Sequence, residues 1–210
     1  NIASVNGTIT INTEAEKYLH IIAEDNVGNV TSDNVFGPYY IDRTAPSISV
    51  NPQNCDWTQE VQVQVSFTDG GAGFKQYRYA ITDSRDAPTT WNDYITKSTD
   101  TIMINTETEK YLHIIAEDNI GNISEDVVNG PYLIDRTNPT IQVLGDLTNI
   151  NIDELTLDLE ANDVPSGVAT FKMDGEVIFN GNHTFYKNGK HTLEAIDKAG
   201  NTYSTEFEIT

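Results

Sequence analysis

Residues 9–50 read ITINTEAEKYLHIIAEDNVGNVTSDNVFGPYYIDRTAPSISV, and residues 102–143 read IMINTETEKYLHIIAEDNIGNISEDVVNGPYLIDRTNPTIQV. About 30 of these 42 positions are identical at a shift of about 93 residues, so the chain is built from copies of one module. A weaker third copy of its centre, HTLEAIDKAGN at 191–201, matches LHIIAEDNIGN at 112–122.

The same shift sets Asn1 opposite Tyr94, past the middle of the second module, so residues 1–42 hold only a C-terminal half. Complete units are expected at 43–135 and 136–210. Each opens on a proline junction, DRTAP or DRTNP, where Pro46 and Pro139 suit the first position of an edge strand. A half unit of this size would expose the inner face of its strands and be marginal by itself. The expectation is a piece of a longer array, with the missing strands disordered or supplied by a neighbouring chain.

Hydrophobic residues alternate with polar ones along the module. In EVQVQVSF, Val61, Val63, Val65 and Phe67 take one face and Gln62, Gln64 and Ser66 the other, as a half-buried strand requires. In YLHIIAEDN, Leu112, Ile114 and Ala116 face inward, which turns His113 and Glu117 outward; Leu193 and Ala195 repeat the inward set. With ISV, FKQYRYAIT, TIMIN and GPYLID, the second unit has about seven short strands punctuated by turn residues, which predicts an all-β chain of tandem immunoglobulin-like sandwiches. Asp174-Gly175 and Asn188-Gly189 read as hairpin turns. The DNIGN and DKAGN segments supply a glycine for a positive φ between the last two strands.

Three signatures, AEDNVGN at 23–29, AEDNIGN at 116–122 and AIDKAGN at 195–201, combine with junctions running from Asp42 to Pro46 and from Asp135 to Pro139. In these the chain resembles the immunoglobulin-like repeats of bacterial cell-surface and large secreted proteins, over nearly its whole length. The resemblance implies a non-catalytic extracellular stalk or spacer, at the cell surface or attached to the cell wall, or else secreted. Its partners would be neighbouring repeats of the same chain, or a glycan or a host or cell-wall protein if the repeat is an adhesion module. An accessory region of a large secreted hydrolase is a third reading. Near-identical repeats suit a spacer, because length rather than a distinct surface is what a spacer needs.

Charge and motif content narrow these classes. With 32 acidic against 12 basic residues the formal charge is −20, which repels nucleic acid and anionic lipid and favours divalent cations. No run of apolar residues is long enough for a membrane span, and no export signal opens the chain. Cys55 is the single cysteine, so no disulfide forms within the chain, and it reads as a small buried or edge thiol. There is no G-x-S-x-G, H-E-x-x-H, phosphate loop or C-x-x-C, and His20, His113, His183 and His191 lack an activating motif, so no enzyme is expected. Asn6, Asn29, Asn122 and Asn182 begin N-x-Ser/Thr sequons, which a bacterial origin would leave unmodified.

Two groups of residues stand out as candidate sites. In an immunoglobulin-like sandwich the B–C and F–G loops lie at the end where the chain enters. Asp42, Asp69 and Asp118 would then converge before the second unit, and Asp135, Asp163 and Asp197 before the third. Such carboxylates, with loop carbonyls and Asn119, suit calcium, which takes six to eight oxygens; equally, the Asp of A-x-D-x-x-G-N can cap backbone N–H groups in its own turn. The second group is aromatic: Trp91 with Tyr77, Tyr79 and Tyr94 could stack on a sugar while Asn92 and Asp93 bond its hydroxyls, or Trp91 could cover the end of the sandwich while a tyrosine enters the core.

Overall fold

The computed structural model describes residues 6–145, 147 and 154–210; residues 1–5 of the predicted half unit, and 146 and 148–153 of the predicted last unit, lie outside the described residues. The described chain is all-β, with 58% strand and no helix. β1 (Ala15–Ile21) and β2 (Asn34–Ile41) form a two-stranded sheet. Next come seven strands in two sheets: β3 (Ser47–Asn51), β5 (Val61–Thr68) and β7 (Thr99–Ile104) in one, and β4 (Cys55–Thr58), β9 (Val127–Ile134), β8 (Thr108–Asp118) and β6 (Phe74–Thr82), in that order, in the other. The remaining strands repeat the plan: β10 (Thr140–Leu144), β11 (Leu155–Asn162) and β14 (Gly181–Phe185) oppose β13 (Glu176–Ile178), β12 (Val168–Met173), β15 (Gly189–Asp197) and β16 (Thr202–Ile209). These are tandem immunoglobulin-like sandwiches.

Period-two alternation builds each core. Val63, Val65 and Phe67 of β5 are buried against Leu112, Ile114 and Ala116 of β8 and Tyr132 and Ile134 of β9, while Gln62 and Gln64 are exposed. Phe67 stacks on Tyr77 of β6 at a centroid separation of 4.3 Å. A separate core gathers Leu157, Leu159, Phe171, Leu193 and Ile209. Strand pairing satisfies the backbone, and side-chain alternation decides which residues face the opposing sheet.

Two local expectations fail for tertiary reasons. Asp174 and Gly175, with φ of 52° and 90°, do form a two-residue hairpin between β12 and β13. Asn188-Gly189, however, joins β14, which pairs with β11, to β15, which pairs with β12, so this turn carries the chain from one sheet to the other. His113, expected to face outward, is fully buried. The segment between β6 and β7 crosses the outer face of β8, placing the Ser84 carbonyl 3.2 Å from Nε2, and Asp126 meets Nδ1 at 2.7 Å.

Candidate functional site

Each A-x-D-x-x-G-N turn closes on its aspartate. Asp118 at the end of β8 accepts the Ile120 N–H (2.9 Å) and the Asn122 N–H (2.8 Å) on Oδ1 and the Asn122 side-chain amide (2.6 Å) on Oδ2. Asp25 and Asp197 hold Asn29 and Asn201 through the same backbone and side-chain pair. Gly28, Gly121 and Gly200 take φ of 92°, 97° and 88°, which glycine adopts at little cost. All of these bonds close within five residues, so the turn forms wherever the motif occurs.

The capped turn then reaches the preceding repeat. Asn122 Nδ2, oriented by Asp118, lies 3.4 Å from the Asp42 carbonyl, and Asn201 Nδ2 donates to the Asp135 carbonyl at 3.1 Å. From the other side, Asp42 accepts the Thr44 N–H and hydroxyl on Oδ1 and the Ala72 N–H (2.5 Å) on Oδ2. Asp135 does the same with Thr137 and with the Ser166 N–H at 3.1 Å. Asp69 and Asp163 brace the loop between, accepting the Gly73 and Gly167 N–H at 2.6 and 2.8 Å. Each junction is thus a three-carboxylate node tying the end of one repeat to two loops of the next.

Gly71 makes room for the first node. A Cβ there would fall well inside contact distance of the Asp42 carboxylate. Asp118 and Asp135 are fully buried, and Asp197 and Asn201 nearly so. Burial pushes the Asp118 carboxyl up, but the Asn122 and Ile120 donors outweigh it and hold it below the usual carboxylate range. Burial likewise opposes Ser166 and Thr137 at Asp135, and the donors win there too. At Asp42 the Ala72 and Thr44 donors lower the carboxyl. Hydrogen bonds donated to a carboxylate favour its charged form, which opposes the repulsion between neighbouring carboxylates.

The six aspartates picked from the sequence are therefore brought together as two groups, Asp42, Asp69 and Asp118, and Asp135, Asp163 and Asp197, with one ligand oxygen from each within 4.8 Å of the others. These residues could hold a divalent cation, contributing three of the six to eight oxygens that calcium takes. Asn119 turns its amide nitrogen to the Ala72 and Gly73 carbonyls at 2.8 and 3.0 Å, so its side chain braces the loop.

The aromatic group divides between core and surface. Tyr77 is fully buried and donates its hydroxyl to Asp100 at 2.8 Å, while Tyr79 stacks beside it at 6.4 Å. The Arg78 guanidinium lies 5.3 Å from the Trp91 ring centre and 5.1 Å from that of Tyr94, so it takes one face of each ring, and Tyr94 stays 46% exposed. Asn92 is spent on the backbone N–H of Tyr79 at 2.6 Å. Cys55 is half-buried, and burial raises its thiol pKa, which works against thiolate reactivity.

Sequence reasoning missed the junction roles of Asn122, Asn201, Thr44, Thr137 and Gly71. For Asn122, Asn201, Thr44 and Thr137 the only signal was recurrence at matching positions, which turn chemistry already explained; Gly71 has Pro165 as its counterpart and gave no such signal. No family model and no curated protein matches the chain. Among solved structures it is similar to fibronectin(III)-like modules of Clostridium thermocellum CbhA, at 15% identity and a TM-score of 0.38, over 77% of this chain and 92% of that one.

Proposed function

We propose that this chain is a non-catalytic spacer from a bacterial extracellular or cell-surface protein, whose repeats are locked to one another at hydrogen-bonded carboxylate junctions. The observation that carries the reading is the recurrence of one bonding pattern, Asp42 with Ala72 and Asn122, then Asp135 with Ser166 and Asn201. Repetition of a joint, rather than of a pocket, is what an array that transmits length requires. The −20 charge favours solubility of such an array outside the cell. The glycan-binding reading has less in its favour, because Tyr77 is buried and Arg78 takes one face of Trp91 and of Tyr94.

The test is the distance distribution between spin labels on Met103→Cys and Tyr203→Cys in a Cys55→Ser background, both sites being well exposed. A locked junction gives one narrow distribution, which broadens when Asp135→Ala and Asn201→Ala are combined. A wild-type distribution as broad as the variant's would refute the spacer reading as stated.

A further inference from the structure

β1 and β2 are the same hairpin as β8 and β9, in the same register. Lys17 pairs Tyr39 as Lys110 pairs Tyr132, His20 pairs Val35 as His113 pairs Val128, and the register shifts at the same place in both, between Lys17 and Leu19 and between Lys110 and Leu112. What differs is the cover. Ile21 and Tyr39 are 38% and 39% exposed, whereas their counterparts Ile114 and Tyr132 are fully buried. Among the described residues no third strand joins β1 and β2.

The second repeat shows what a surface of this sequence receives. On the inner face, β3 and β5 supply Val50, Val63 and Val65. On the edges, β6 pairs with β8 and β4 pairs parallel to β9. On the outer face, the segment after β6 lays the Ser84 carbonyl on His113, Asp83 on Lys110 and the Arg85 guanidinium over Tyr111. Each hairpin residue that meets these outer contacts, His113, Lys110 and Tyr111, is repeated in the first hairpin, as His20, Lys17 and Tyr18. A solvent-facing sheet has no use for Ile21, Tyr39 and an edge-matched register together.

The geometry points to β1–β2 being a docking surface for an N-terminal half-sandwich of the kind residues 43–93 form, presented in cis ahead of the hairpin. A second copy of this chain is the poorer occupant, because its residues 43–93 already cover an equivalent face formed by residues 102–134, and moving them gains nothing. A linked half-sandwich is instead held at high effective concentration. This inference concerns residues 6–41 and stands apart from the stiffness of the junctions, so the two can fail separately.

The experiment places an additional copy of residues 43–93 directly ahead of Asn1, which restores the 93-residue spacing, and follows amide hydrogen exchange. Exchange at Leu19, Ile21 and Tyr39 should slow by about a hundredfold or more, towards the rates of Leu112, Ile114 and Tyr132 in the same molecule. Ile21→Asp in the extended chain should abolish that gain while leaving Ile114 protected. Unchanged exchange in β1 with intact protection in β8 would overturn the inference. So would a dimer of the unextended chain whose β1 amides are already protected, since the occupant would then be a second copy.

Discussion

Isoleucine occurs twice in the same local sequence, as Ile21 in YLHIIAEDN of the first copy and Ile114 in the second, and the structure assigns the two very different energies. Ile114 is fully buried between the sheets, in contact with the cluster that includes Val63, Val65 and Tyr132. Ile114→Ala removes three buried carbons, worth about 2.4 kcal/mol at about 0.8 kcal/mol each. The cavity left behind raises the cost to roughly 3–4 kcal/mol. Ile21 is 38% exposed and touches no such core, so Ile21→Ala should cost less than about 1 kcal/mol. The chain's two tryptophans, Trp57 and Trp91, both lie between residues 43 and 135, so urea unfolding followed by tryptophan fluorescence reports this unit. With a urea slope of about 1.5 kcal/mol per molar, Ile114→Ala should lower the midpoint by about 2 M while Ile21→Ala leaves it in place. Equal shifts for the two variants would refute the assignment of core and uncovered face.

Further consequences follow at the junctions and the buried histidine. Gly71→Ala should displace the Asp42 carboxylate and speed exchange of the Ala72 amide, with less than about 1 kcal/mol lost from the tryptophan-reported transition. Because Asp118 and Asp135 have folded pKa values below the unfolded 3.8, their stabilisation is present above that value and is lost as pH falls through the lower folded values; urea midpoints at pH 7 and pH 3 should show the loss, and Asp118→Asn should flatten it. Asp118→Ala should cost about 1–3 kcal/mol equally in millimolar calcium and in chelator, whereas a cost confined to calcium would make the group a cation site rather than a cap. His113→Ala should cost about 2 kcal/mol in the same urea assay, because Asp126 and the Ser84 carbonyl lose the ring that meets them, while His20→Ala, at an exposed site, should cost no more than about 0.5 kcal/mol.

What the sequence determines here is everything that closes within a few residues or within one strand. Asp25, Asp118 and Asp197 cap identical turns although their surroundings differ, because donor and acceptor are four residues apart and need no neighbour. The alternation in β5 likewise sorts Val63 and Val65 inward without reference to what lies opposite. The convergence of six aspartates was legible too, since sandwich topology fixes which loops share an end. The tertiary structure alone decides whether a given copy is covered. His20 and His113, or Ile21 and Ile114, share their local sequence, yet one of each pair is exposed and the other buried, because the covering strands and the segment after β6 come from outside that stretch, Ser84 lying 29 positions from His113. The same holds for Arg78 lying over one face of Trp91, for Asn188-Gly189 changing sheets, and for Asn122 reaching Asp42 across 80 residues. Each of these is a long-range contact whose partner a local pattern cannot name, and the energy that selects it comes from burying faces against each other rather than from any residue's own preference.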